Sequence, residues 1–248
     1  MKRVVAIIQA RTGSTRFPGK VLQPILGIQV LRLVYDRVRR AHSINKVIVA
    51  TSDLPGDIAI VELCASFNIP VFIGSETDVL DRFYRAAEQE KAETVVRITA
   101  DCPCIDPALI DRAVEHYFAE DCDHCSIAAG AGVPNGLKRF PDGFDVEVFS
   151  FAALRKAWQG GASKFEREHV TPFIWQHPND FRLRVLESDQ DLSEIHLTLD
   201  YPKDLEIIRN IYEVLGQPDP CAFGLGEIQE LYTLRPEIFN GNQDGSPL

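Results

Sequence analysis

The apolar run VVAIIQ (Val4–Gln9) passes without a break into RTGSTRFPGK, residues 11–20. No other junction constrains the fold of this chain so strongly. A continuous β-rich apolar run reads as a strand covered on both faces. The loop after it carries two glycines, Gly13 and Gly19, the hydroxyl of Ser14, and the cations Arg11, Arg16 and Lys20, and a helix pattern follows. Gly13 and Gly19 allow a tight turn and a close backbone approach to a ligand. Backbone N–H groups in such a loop can cradle an anion while the cations neutralise phosphate charge. Neither the GxGxxG nor the GxxxxGK[ST] spacing is present, so the loop is expected to hold a triphosphate by a pattern of its own. A solvated basic turn would not need this residue set at the end of a buried strand.

The chain has 248 residues and a formal net charge of −10. That balance argues against a nucleic-acid polymer as partner, which calls for a basic face, but not against a single nucleotide held by a local cationic loop. No apolar run approaches the roughly 20 residues of a membrane span, so no membrane partner is expected. The short basic start MKRVV reads as the first core strand rather than a leader, and a cytoplasmic location is expected. Of six cysteines only Cys122 and Cys125 have metal-like spacing, with no second pair following. Free thiols are the expected state.

Short β-rich runs at Val4–Ile8, Val47–Ala50, Val71–Ile73 and Thr94–Ile98 alternate with helix-period stretches near 29–41, 57–67, 79–91 and 107–119. Alternation of this kind predicts an α/β chain of βαβ units, with helices on both faces of a mostly parallel central sheet. Ligands bind beyond the carboxyl ends of such strands, so the loops starting at Ala10, Thr51 and Thr99 should converge. Further on, 130–143 reads as a long Gly/Pro loop and 144–151 as a half-exposed alternating strand. A helix at 151–158, a second spanning FEREHVTPFIW, strands at Phe181–Val185 and Ile195–Leu199, and a helix at 202–215 complete the pattern. Residues 1–240 read as one domain and 241–248 as a flexible tail.

Two aspartates stand at strand ends. Asp101 follows the strand Thr94–Ile98, just before Pro103. Facing a phosphate loop, it is a natural hard-oxygen ligand for Mg²⁺. Asp106 reads as the cap of the helix that opens at Pro107. Asp200 precedes Pro202 and a helix, and either caps that helix or pairs with Asp101 to hold a metal. Asp204, inside the helix, reads as ordinary surface.

The blocks IIQARTGSTRFPGKVL, ATSD, GSETDVLDRFYRA, VVRITADCPCIDP, FPDGFDVEVF, REHVTPFI and LTLDYPKDLEII, in this order, resemble the cytidylyltransferases. The similarity is strongest to the spore-coat-polysaccharide SpsF-like branch, and the acylneuraminate and KDO cytidylyltransferases are more distant. The resemblance covers about residues 1–215. It implies a Rossmann-like nucleotide-diphospho-sugar transferase fold, with a small acceptor and dimerisation extension at 130–180. It also implies Mg²⁺ dependence and a homodimer, with CTP and a small sugar, sugar acid or related acceptor as partners.

Carried over by position, Arg11, Gly13, Ser14, Arg16 and Lys20 would hold the triphosphate, with Arg16, Lys20 and Asp101 catalytic. Asp101 and Asp200 would hold Mg²⁺, and Thr51, Ser52, Ser75 and Arg97 would lie near base and ribose. Asp142, Asp145, Glu147, Arg167, Glu168 and His169 are the acceptor-binding candidates. Where the KDO enzymes carry Gln-Gly before the metal aspartate, this chain has Thr99-Ala100, so its preference for CTP rests on the branch. Alternatives remain open at several positions. Arg167 and Glu168 read equally as surface charges, and His169 as a general base or a packed helix histidine. Asp145 and Glu147 share a strand face that either binds hydroxyls or a metal or is simply wet. A glycosyltransferase using a nucleotide-sugar is the competing activity, although it has less use for the Arg11–Lys20 loop.

Overall fold

The computed structural model describes residues 2–129 and 136–240. The expected tail at 241–248 and the part of the expected loop at 130–135 lie outside the described residues. In chain order the strands are β1 (Val4–Gln9), β2 (Pro24–Ile25), β3 (Ile28–Gln29), β4 (Lys46–Ser52), β5 (Val71–Gly74), β6 (Thr94–Thr99), β7 (His124–Ile127), β8 (Glu147–Ser150) and β9 (Leu183–Leu186). The helices are α1 (Val30–Val38), α2 (Ile58–Ser66), α3 (Val79–Gln89), α4 (Pro107–Ala119), α5 (Phe151–Gly160), α6 (Lys164–His169), α7 (Pro172–Gln176), α8 (Pro202–Leu215) and α9 (Leu225–Leu234).

One sheet of the described residues runs β5-β4-β1-β6-β8-β7-β9. Every neighbouring pair is parallel except those made by β8, which is antiparallel to both β6 and β7. The unbroken apolar run of β1 follows from its central place: Val4, Ala6 and Ile8 enter one core, Val5 and Ile7 the other. The first core is closed by α1, α4 and α8 and the second by α3 and α5. Each fully buried aliphatic side chain contributes roughly 1.5–3 kcal/mol. Leu31, Leu33, Val34 and Val38 bring one face of α1 down, and Asp106 caps α4 by accepting from the Ala108 N–H at 2.8 Å, as expected.

Four expectations give way. Segment 144–151 is not a half-exposed strand: with β6 and β7 on either side, Val146 and Val148 fill one core and Phe149 the other. Its carboxylates are therefore not on a wet face, and the Glu147 side chain is only 12% exposed. The single helix expected over FEREHVTPFIW is two, α6 and α7, broken where buried Val170 takes φ 72°. Pro172 has no N–H to continue the first helix and restricts the residue before it. β7 arises where no strand was expected.

The fourth correction bears on the site. Residues 195–199 form no strand. They are stitched in by the Asp142 N–H to the Ile195 carbonyl at 3.0 Å, the Leu197 N–H to the Asp142 carbonyl at 2.9 Å, and the Leu199 N–H to the Asp101 carbonyl at 2.8 Å. This close approach requires Gly143, which has φ 93° and where a Cβ would stand 2.6 Å from the Leu197 carbonyl carbon. Gly143→Ala is expected to destabilise the fold by more than about 1 kcal/mol, about 2–4 °C of Tm per kcal/mol in a chain of this size. A thermal melt unchanged within 1 °C (about 0.3 kcal/mol) would show that the segment relaxes freely.

Candidate active site

The loop after β1 is folded by its own groups. Thr12 O accepts the N–H of Ser14 and of Gly19, each at 2.9 Å, and Ser14 Oγ accepts the Phe17 N–H at 3.2 Å. Gly19 needs its freedom, having φ 70°. Gly13 does not: its φ is not positive and a Cβ there would meet nothing within 4 Å. Asp57, at the start of α2, latches the loop to the sheet. Its Oδ1 accepts the Thr12 N–H at 2.7 Å and the Thr12 hydroxyl at 2.6 Å, and its other oxygen accepts the Ser52 hydroxyl. Burial works against the Asp57 charge, but these donors hold its pKa below the usual carboxylate range.

The latched loop delivers Lys20 to the carboxyl edge of the sheet. Lys20 Nζ donates to Asp101 Oδ2 at 2.6 Å and to Asp200 Oδ1 at 3.2 Å. Burial disfavours the ammonium, yet the two carboxylates outweigh it and raise the Lys20 pKa. Arg16 pairs with the other Asp200 oxygen at 2.7 Å and lies over the Tyr201 ring. Asp200 is free to do this because Asp204 caps α8, accepting the N–H groups of Asp200 and Tyr201 at 2.8 and 2.7 Å. Asp204 is thus the cap, not idle surface.

Around this cluster lies a cleft of about 470 Å³, lined by Gln9, Arg11, Gly13, Ser14, Thr15, Arg16, Lys20, Val21, Thr99, Ala100, Asp101, Glu168, His169 and Asp200. It brings together the five expected phosphate-loop residues, both expected metal aspartates and two of the six acceptor candidates. Glu168 faces Arg11 across it at 3.8 Å. A cationic loop facing paired carboxylates can bind a polyanion with its counter-cation and steady charge on a leaving group.

A second cavity of about 170 Å³ adjoins the first, and His169 lines both. Arg97, Asp145, Glu147, Ser126, Thr171, Phe165 and Trp175 line it as well. Arg97 and Glu147 are register neighbours on β6 and β8. Arg97 Nη1 meets Glu147 Oε2 at 2.5 Å, and His124 Nε2 lies 3.2 Å from Oε1. Burial alone would raise the Glu147 pKa, but Arg97 and then His124 bring it down to about 2. Asp145 is treated oppositely: burial, then the Asp142 and Glu147 charges, push it up to about 6. Burial, with Arg97 and Arg11 nearby, lowers His169 below its ordinary value despite Glu168.

The remaining candidates lie elsewhere. Thr51 and Ser52 are buried behind the loop, and Ser75 Oγ accepts the Asp78 N–H at 3.1 Å. Arg167 is tied to Asp78 at 2.8 Å and to the Trp158 carbonyl. Asp142 accepts from the Thr198 hydroxyl at 2.7 Å. None of these five lines either cavity. Sequence reasoning missed Asp57, His124, Thr171, Phe165 and Trp175. Only Asp57 left a signal, as an acid directly before a helix and behind the first crossover.

Asp145 has a consequence for stability. Folded, it keeps its proton to about pH 6, against 3.8 for an unperturbed carboxylate. The folded state therefore binds more protons between these values, and stability falls as pH rises through that window. Asp145→Asn should lose this penalty and be the more stable protein above pH 6, by roughly 3 kcal/mol at most. Its advantage should close below about pH 4. Urea unfolding in acid and at neutral pH checks this, and an advantage of equal size under both conditions refutes it.

A polar cleft at the carboxyl edge of a mostly parallel sheet is where open α/β folds bind their ligands. The sequence matches the cytidylyltransferase family over residues 5–237, and the chain belongs to that family. It is 40% identical over 244 residues to an uncharacterized protein of Methanocaldococcus jannaschii, covering 98% of this chain and 95% of that one. It is 32% identical to the spore coat polysaccharide biosynthesis protein SpsF of Bacillus subtilis, covering 99% and 98%. A 3-deoxy-manno-octulosonate cytidylyltransferase of Geobacter metallireducens is 37% identical over 69% of this chain and 63% of its own. Among solved structures, a cytidylyltransferase of Leptospira borgpetersenii superposes over the whole of both chains, with a TM-score of 0.88 at 26% identity. A CMP:2-keto-3-deoxy-manno-octonic acid synthetase complexed with CTP shares the fold, with a TM-score of 0.64 at 19% identity over 86% of this chain and 99% of that one.

Proposed function

We propose that this enzyme transfers CMP from CTP to a small polyhydroxylated acceptor, with Mg²⁺ and with release of pyrophosphate, to supply an activated precursor for surface polysaccharide. The convergence of Lys20 and Arg16 with Asp101 and Asp200 in one cleft carries this reading. The names of the SpsF and 3-deoxy-manno-octulosonate relatives support the choice of CTP and of a sugar-like acceptor.

In the reaction an acceptor oxygen attacks the α-phosphorus. The new O–P bond forms as the bond to the bridging oxygen breaks, and pyrophosphate leaves. Arg11, Ser14 and Arg16 bind the phosphates, and Lys20 and Arg16 stabilise the charge that grows on the leaving group. Two carboxylates that already share one cationic atom, Lys20 Nζ, suit Mg²⁺, which takes one or two protein carboxylates together with phosphate oxygens. Asp101 and Asp200 would hold it. When bound, it would neutralise phosphate charge. Thr99 and Ala100 line the cleft but carry no amide to read cytosine, whereas Gln9, their neighbour on β1, does. The expected homodimer and cytoplasmic location belong to the same proposal. Light scattering on the purified chain tests the first.

Lys20→Ala should raise the barrier by at least about 2.7 kcal/mol, a hundredfold loss of rate. Asp101→Asn should abolish turnover. The assay is pyrophosphate release with Mg²⁺ and each of CTP, UTP, ATP and GTP against a panel of sugars and sugar acids. Full activity in Lys20→Ala, or a preference for a nucleotide other than CTP, would overturn the assignment.

A further inference from the structure

The two aspartates suited to a metal are already occupied by the chain's own cations. We propose that Lys20 and Arg16 are built-in counter-ions of Asp101 and Asp200. They keep a divalent cation from binding alone, and they leave the carboxylates only when the phosphates of a nucleotide take them. This rests on the nucleotidyl-transfer reading and goes beyond it, since it sets the order in which charge enters the site.

Every oxygen of the two carboxylates faces a donor of the chain. Asp101 Oδ2 and Asp200 Oδ1 accept from Lys20 Nζ at 2.6 and 3.2 Å, and Asp200 Oδ2 pairs with Arg16 Nη2 at 2.7 Å. Asp101 Oδ1 lies 3.8 Å from the Cys102 thiol, a weak donor, so the two cations do the neutralising. Along the cleft lining Arg11, Arg16 and Lys20 balance Asp101, Glu168 and Asp200. A divalent cation entering by itself would bring excess positive charge and would have to evict Lys20. The Lys20 side chain is only 11% exposed, and an ammonium stripped of its counter-charges there is costly. Repulsion between like charges at short range adds to that cost.

A triphosphate changes the balance. Lysine and arginine side chains only donate, and they bond phosphate oxygens as they do carboxylate oxygens. Arg11 and Ser14 line the same cleft, so a polyanion held there offers both cations a new partner and frees the carboxylates. The exchange needs side-chain motion alone. The Thr12–Asp57 contact holds the loop, and the Gln23 N–H donates to the Lys20 carbonyl at 3.2 Å, whereas the ammonium ends a flexible four-carbon stem. Arg16 is half-exposed and rests on the Tyr201 ring, 5.0 Å from its centroid, so its head can turn without disturbing the core. Nucleotide and metal then favour each other by the same factor, as linkage requires.

The test measures Mn²⁺ affinity without nucleotide, by loss of the free-ion EPR signal, on the full-length protein and on Lys20→Met and Arg16→Gln. Lys20→Met should bind Mn²⁺ at least about tenfold more tightly than the parent, equivalent to about 1.4 kcal/mol. Arg16→Gln, whose ion pair is more exposed, should gain at least about threefold, and it keeps the test decisive where Lys20→Met fails to fold. Adding Asp101→Asn to either variant should remove the gain. Metal-free CTP affinity, by calorimetry in EDTA, should move the opposite way and fall at least about threefold in the same variants. A merely structural role would weaken both ligands together. A smaller Mn²⁺ gain in Arg16→Gln or in folded Lys20→Met, a gain that survives Asp101→Asn, a smaller fall in metal-free CTP affinity, or CTP binding that requires Mn²⁺ each overturns the proposal. CTP that fails to bind the parent with or without Mn²⁺ overturns the nucleotidyl-transfer reading instead.

Discussion

One ammonium group joins three segments that lie far apart in the chain. Lys20 comes from the first loop, Asp101 from the end of β6, and Asp200 from the turn before α8. Brought together without a cation, the two carboxylates would repel. Lys20 lies between them and offsets that repulsion. The arrangement also depends on parts that never enter the cleft. Asp57 pins the loop, Asp204 relieves Asp200 of capping, and Gly143 lets residues 195–199 lie against the chain that leads to β8.

A buried arginine plays a comparable structural part on the far side. Arg37, on α1, is fully buried. Its guanidinium donates to the carbonyls of Ile105 and Phe223 at 2.7 and 2.5 Å, and it lies over the Phe223 ring. It ties the loop beyond Asp101 to the C-terminal region, so the stretch between β6 and α4 is held from both sides. Carbonyls with no strand partner are satisfied by a side chain, as buried backbone groups must be.

The acids at the site are managed unequally. Glu147 has a full set of partners and stays ionised, whereas Asp145 is left short of them and is destabilised as an anion. Folds keep such poorly compensated groups where function uses them. Val170 adds a backbone instance of the same kind. A β-branched residue at φ 72° is a strained one, and it follows His169 directly, where α6 ends.

Sequence alone determined the β1 strand, the cationic loop, the alternation of strands and helices to α4, and the family. These are local signals: apolar periodicity, turn residues and motif spacing depend on neighbours in the chain. It also marked Asp101 and Asp200, though it left open whether Asp200 was a cap. Only the tertiary structure decided that, because the competing cap, Asp204, shows itself by geometry alone. The same holds for Arg167, drawn away to Asp78, and for Thr51 and Ser52, expected near base and ribose but buried. β8 alternates like a half-exposed strand, yet both its faces are covered, since β6 and β7 flank it and helices pack above and below. The partners that pair Glu147 and Asp200 lie 50 and 180 positions away, a separation that no local pattern encodes.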